Sequence, residues 1–389
     1  MGKAINSINY NDFMEPHNMV QMADDTIVAA EQTNSLGGKF KSVHDFSEEK
    51  GQSINIDKTL YIHMSTTPNT ETIVCGGDVK ISSLEAGKSA PYLGNHLYHT
   101  NILHDIILYN INKRMFNVAK YKAWLDVNEN TPFSIKLLVL DNCVLAALLH
   151  GCNAWGDLSA LAPKLESIEL DLLKSALGVK KGTPTDTLYQ ELNRGSIVSK
   201  IMDRQYAFVH KLDQISEEEA LVICFWHKSQ HLGIAQYYNS LDNSNYVRNK
   251  ADRVQSLLAS TKTKDIRYRE LVGIEKTNCL YDSYVSDSCR TVITRWRLSN
   301  FDLAIETGRY ERPMIERDQR ICLTCLVRED EEHVFFSCPL YANIRTEHPK
   351  IFNESSSVTD ILNPLTIDAL YETAAAVFDI EKTHRKFSQ

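Results

Sequence analysis

The stretch Gln21-Met22-Ala23-Asp24-Asp25-Thr26-Ile27-Val28-Ala29-Ala30-Glu31 sets two adjacent acids between two apolar runs. Met19 to Met22 alternates like a short strand, and Ile27 to Ala30 is the continuous apolar run of a buried one. The pattern therefore predicts a β-hairpin with Asp24 and Asp25 at its tight connection. Two carboxylates at a hairpin tip repel one another unless a hard cation neutralises them, and Mg²⁺ takes one or two protein carboxylates together with substrate phosphate oxygens. The same pair has a plainer reading, because Asp is an ordinary turn residue.

Beyond the hairpin, Leu36, Phe40, Val43 and Phe46 or His44 recur at helical spacing and predict a helix over Thr33 to Glu49. Ser53 to Met64 alternates through Ile54, Ile56, Leu60 and Ile62, which predicts a strand carrying Lys58. Ile73-Val74-Cys75 and Val79-Lys80-Ile81 flank Gly76-Gly77, a second hairpin. From Asn101 to about Arg297 the signals are helical. Thr131-Pro132 opens a helix that is apolar nearly all round to Trp155, as at the centre of a bundle. Leu161, Leu165, Ile168 and Leu172 share a face that ends at Gly178, a helix C-cap. Gly178 to Pro184 is a linker whose Lys180 and Lys181 suit either phosphates or plain solvation. Thr185 to Leu192, Ile197 to Ile215 and Glu217 to Trp226 read as short helices, and Leu232 to Ala259 as an exposed polar connection.

The densest chemistry lies near the C-terminus: Cys322-Leu323-Thr324-Cys325, then His333, then Cys338. Three thiolates and one imidazole suit tetrahedral Zn²⁺, and a closed four-ligand shell marks a structural ion. The competing reading is a set of free thiols near a chance histidine. The apolar residues between Arg317 and Leu340 are too few for an independent core, so the segment needs a staple. Glu329-Asp330-Glu331-Glu332 makes this knuckle acidic and ill suited to phosphate. Just upstream, Arg290, Arg295, Arg297, Arg309, Arg312, Arg317 and Arg320 form an arginine run interleaved with acids. Arg309, Arg312 and Arg317 are the candidates for nucleic-acid phosphates.

Composition bounds these readings. The chain has 389 residues, 43% hydrophobic and 24% charged, which describes a globular protein of two or three domains. The apolar run from Leu137 to Leu149 is broken by Asp141 and Asn142, and no signal-peptide pattern opens the chain, so an intracellular protein without a membrane span is expected. Nine cysteines, scattered except for Cys322 and Cys325, argue for reduced thiols and one metal site. The net charge of -8 requires any nucleic-acid surface to be a segregated basic patch.

In this order the segments resemble the reverse transcriptase of non-LTR (LINE-type) retrotransposons. Asn9 to Phe13 resembles the end of the helix before the catalytic hairpin. Met22-Ala23-Asp24-Asp25-Thr26 resembles the Tyr-Ala-Asp-Asp-Thr box, with Met22 in place of Tyr. Asn55-Ile56-Asp57-Lys58-Thr59 is similar to the Asn-x-x-Lys-Thr strand, Tyr92-Leu93-Gly94 to the primer grip, and the Cys322 to Cys338 cluster falls where the family carries one.

The resemblance implies an α+β palm remnant over 1–100, a helical thumb over 101–178, a helical connector over 179–300, the arginine-rich segment and zinc knuckle over 301–345, and a helical tail over 346–389. It implies Asp24 as principal Mg²⁺ ligand, Asp25 as a second, and Lys58 beside the incoming nucleotide. RNA and DNA are the implied partners, namely the element's transcript and its target, in cytoplasm and nucleus as a ribonucleoprotein. Only 23 residues precede Asp24, and Asp12 is the sole Asp among them, so the fingers and the earlier palm carboxylate are not expected in this chain. Two-metal transfer needs carboxylates from both strands. The expectation is a partial RNA-directed DNA polymerase, a nucleotidyltransferase in origin, unable to extend a primer alone. The alternative is a non-catalytic RNA- and DNA-binding protein derived from it.

Overall fold

The computed structural model describes residues 19–22, 25–28, 30, 33–63, 72–74, 79–85, 88–97, 99, 103–214, 237–238, 240–274, 279–281 and 285–387. It is 61% helix and 6% strand, and among the described residues the strands form three separate two-stranded hairpins, so α+β holds only in the coarse sense of a helical protein with small sheets. The chain divides into two compact units.

The first unit comprises residues 1–115, 148–162 and 201–243. Strands β1 (Met19–Met22) and β2 (Asp25–Val28) pair antiparallel as the expected hairpin, but Asp25 stands opposite Met22 as the first residue of β2 and not in the connection. Helix α1 (Thr33–Glu49) follows with the expected bounds. Its Leu36 and Phe40 pack with Tyr61, Ile73 and Ile81 in a small core beneath the hairpin of β3 (Ile73–Val74) and β4 (Lys80–Ile81). Gly37 permits that approach, because a Cβ there would stand 2.9 Å from the Val74 carbonyl oxygen. The structure corrects the strand expected over Ser53 to Met64. Ile56–Lys58 is a 3-10 turn, since the Asn55 side chain accepts from the Lys58 amide at 3.1 Å and so competes with strand pairing. A third hairpin, β5 (Ala90–Tyr92) and β6 (Asn95–Leu97), precedes the long helix α2 (Leu103–Val127).

The second unit comprises residues 116–147, 163–200 and 244–389. Helix α3 (Phe133–Val139) continues through a π turn at Leu140–Leu145. It is not buried all round: Ile135 and Leu138 are exposed, while Lys136 is buried with Phe133 because its ammonium reaches Asp287 at 2.6 Å. Helix α4 (Ala162–Leu177) buries Leu165, Leu172, Leu173 and Leu177, and stops at Gly178 with φ +72°, the left-handed C-cap that the sequence predicts. Helices α5 (Thr185–Glu191) and α6 (Ile197–Asp213) fall as expected, α6 running on into the first unit. The exposed connection expected over Leu232 to Ala259 is corrected in its second half to a helix, α7 (Asn245–Ala259). Its Arg253 lies 4.1 Å over the Tyr189 ring and binds Asp186 and Glu166, partners on other helices that composition alone does not reveal. Helices α8 (Asp287–Arg297) and α9 (Ile367–Phe387) enclose the main core of this unit: Trp296, Phe301, Val334, Phe335, Leu370, Val377 and Ile380 belong to one buried cluster.

Candidate metal centre

The four C-terminal ligands converge. Ile321 bridges Arg328, the Cys322 amide donates to the Val327 carbonyl at 2.7 Å and the Leu326 amide to the Cys322 carbonyl at 2.8 Å, so Cys322 to Cys325 is wound into a tight turn. Leu326 takes φ 55° to close it. His333 opens a π turn whose first amide is capped by Asp330 at 3.0 Å, and the Cys338 amide returns to the His333 carbonyl at 2.8 Å. Arg345 fixes the last ligand by donating to the Cys338 carbonyl at 2.7 Å.

The resulting geometry fits a tetrahedral cation. The ligand atoms of Cys322, Cys325, His333 and Cys338 all lie within 4.8 Å of one another. The Cys338 sulfur stands 3.9 Å from that of Cys322 and 3.6 Å from that of Cys325. Zn–S bonds of about 2.3 Å place tetrahedral sulfurs about 3.8 Å apart, whereas a disulfide needs about 2.05 Å. His333 Nε2 is buried and has no hydrogen-bond partner, a cost that metal coordination removes. Burial pushes the Cys338 thiol up to about 12, so a thiolate there needs a cation beside it. A second convergence, Glu347, His348 and Asp379, has only three ligands and is more open to solvent.

The knuckle is not a separate module. Cys322, Val334, Phe335 and Cys338 are buried in the same core as α8 and α9, and the Phe335 ring stacks on Trp296 with centroids 4.9 Å apart. Its acids serve the fold: Glu329 accepts the Ala304 amide at 2.6 Å, and Glu331 pairs with Arg267.

The arginine run divides sharply. Arg290, Arg297 and Arg320 are buried, and Arg295 reaches Glu381 at 3.4 Å. Arg309 is half-buried and pairs with Glu306 at 3.0 Å. Arg312 and Arg317 are exposed and form no ion pair with a described residue. Arg320 anchors their loop, donating from Nε to the Ile315 carbonyl and from Nη1 to the Ile305 carbonyl, each at 2.9 Å.

The polymerase-like residues are distributed over the first unit. Asp24 lies outside the described residues, as does the Asp25 side chain, although Asp25 itself begins β2. Lys58 is exposed on its 3-10 turn. Tyr92 ends β5, and Leu93 (φ 46°) and Gly94 (φ 77°) form the two-residue turn to β6, a connection that demands positive φ at both positions. That turn is pinned by groups the sequence did not flag: His150 Nε2 donates to the Leu93 carbonyl at 2.8 Å, and Arg114 donates to the Gly94 carbonyl at 2.9 Å and to Asn95 Oδ1 at 2.8 Å.

Set against protein-family models, curated proteins and solved structures, the chain matches none. Among the described residues no helix is long and apolar enough to cross a membrane.

Proposed function

We propose that Cys322, Cys325, His333 and Cys338 hold one structural zinc ion, and that the chain is a nucleic-acid-binding part of a non-LTR retrotransposon reverse transcriptase that does not extend a primer alone. The metal reading is carried by one observation, an orphaned buried His333 nitrogen among three sulfurs, of which that of Cys338 stands at tetrahedral spacing from the other two. Four protein ligands leave no open coordination position, so the ion supplies cohesion and no catalysis. The descent from a polymerase is supported by the order of the sequence resemblances: Asp24 and Asp25 in the hairpin, Lys58, Tyr92 to Gly94, and the knuckle. Nucleic-acid binding is supported by the exposed Arg312 and Arg317 on a loop that Arg320 secures beside the knuckle. Mg²⁺ enters only in a polymerase-competent form, at Asp24 and Asp25.

Metal analysis of untagged, reduced protein is expected to find one zinc per chain, lost on Cys325→Ser. Retention of zinc in that variant refutes the site. In binding assays, affinity for RNA is expected to fall steeply with salt and to weaken when Arg309, Arg312 and Arg317 become Glu. Unchanged binding refutes the phosphate role, and Mg²⁺-dependent extension abolished by Asp24→Ala restores a competent polymerase.

A further inference from the structure

We propose that Tyr310 is a stacking platform for an unpaired base of a single-stranded nucleic acid, with Lys181 and Arg312 taking the flanking phosphates; this deepens, and rests on, the nucleic-acid reading above. Tyr310 is 62% exposed, an aromatic ring that contributes little to any core. Two distant segments and its own loop meet around it. The turn holding Lys181 comes so close that a Cβ on Gly182 would lie 3.6 Å from the Tyr310 hydroxyl, and the Lys264 ammonium stands 5.9 Å from the ring centre. Arg309 adjoins it in sequence.

Both supports are fixed before any ligand arrives. In the turn, the Lys180 amide donates to Asn300 Oδ1 at 2.8 Å, Thr183 Oγ1 donates to the Lys180 carbonyl at 2.8 Å, and Lys174 donates to the Lys181 carbonyl at 2.7 Å. In the loop, the Tyr310 amide bonds the Thr307 carbonyl at 2.9 Å and the Ile315 amide returns to Gly308 at 3.1 Å. Of the nearby acids, Asp302 binds Lys180 at 2.9 Å and Glu306 binds both Lys264 and Arg309, while Glu311 is exposed between Tyr310 and Arg312 in sequence. Exposed Lys181 and Arg312 form no ion pair with a described residue and keep their charge for a ligand. A ring beside cations matches a base beside phosphates. Strandedness follows from access, because paired bases hide their faces in the stack while single strands offer them.

The test is fluorescence anisotropy of the full zinc-loaded chain with a labelled adenine oligonucleotide, its abasic counterpart and a blunt duplex, each in RNA and DNA form. The adenine strand is expected to bind tightest. Tyr310→Ala should weaken it about 5- to 100-fold, as loss of one stacked base does, leave the abasic strand unaffected and leave zinc content unchanged. Tyr310→Phe should retain binding, and Lys181→Glu should weaken adenine and abasic strands alike. Whichever sugar binds tighter identifies the source of the strand. Salt-sensitive binding that ignores Tyr310→Ala, or that prefers the duplex, overturns the platform and leaves the broader reading standing. Absence of all binding by the wild-type chain overturns both.

Discussion

Within the second unit, two centres bury groups that water would otherwise solvate, and they do so by opposite routes. At the knuckle, four ligands between Cys322 and Cys338 converge and still leave His333 Nε2 without a partner. At the other centre, the Glu191 carboxylate is fully answered by protein. Arg297 donates to its two oxygens at 2.7 and 2.9 Å, the Tyr281 hydroxyl adds a bond of 2.6 Å and the Tyr268 hydroxyl one of 2.7 Å. Arg297 is itself completed by the Leu362 carbonyl and Asn363. Burial alone would raise the Glu191 carboxyl, but Arg297 and the two hydroxyls more than reverse this and hold it below the usual carboxylate range. One centre is self-sufficient, and the other has the ligands for the cation proposed above.

The largest expected effect follows from removing the proposed zinc. Structural zinc contributes on the order of 10 kcal/mol of apparent binding energy in small modules. Because Phe335 and Cys338 share a core with Trp296 and Ile380, chelation is expected to raise hydrogen exchange both over His333–Ser337 and over α9. Loss of protection confined to 322–338 would show that the shared core holds without the ion. The next largest effect belongs to the ion pair. Glu191→Ala leaves Arg297 buried without its carboxylate and should cost about 3–5 kcal/mol in urea unfolding. Glu191→Leu combined with Arg297→Met should cost much less. Equal losses in the single and double variants would mean that the two charges are not coupled.

Acid acts on the Glu191 centre in a defined direction. Since the folded carboxyl of Glu191 is depressed, its contribution is fully present above the unfolded value of about 4.3 and is lost as pH falls through the lower folded value. Glu191→Gln should therefore flatten the acid limb of the stability profile. Glu169 runs the other way. Burial raises its carboxyl despite bonds of 2.7 Å from the Tyr189 hydroxyl and the Ile197 amide, and despite Arg194, which stands 3.8 Å away and turns its fork to Asp141. Its contribution is present below the unfolded carboxyl value and is lost as pH rises through the raised folded value. The smallest expected effect is thus Glu169→Gln, which should change stability at pH 7 by no more than about 1 kcal/mol. A loss of several kcal/mol would show that the ionised form is needed there.

Features that depend on neighbours along the chain were legible in the sequence. Leu36 and Phe40 specify α1 by their period, Gly178 stops α4, and the Cys322, Cys325, His333 and Cys338 spacing closes on one point because short turns cannot carry those ligands far apart. Asn55 carried a local signal as well, since a side chain that caps its own turn draws Lys58 out of a strand, but alternating Ile54 and Ile56 concealed it. Which arginines face solvent is set by folding. Arg297 and Arg317 look alike in sequence, yet one meets Glu191 across 106 residues and the other lies in an exposed loop. A guanidinium has no local pattern that distinguishes a carboxylate brought to it by folding from water, and Gly182 lies beside Tyr310 for the same reason: their proximity is made by packing and is not encoded in any periodicity.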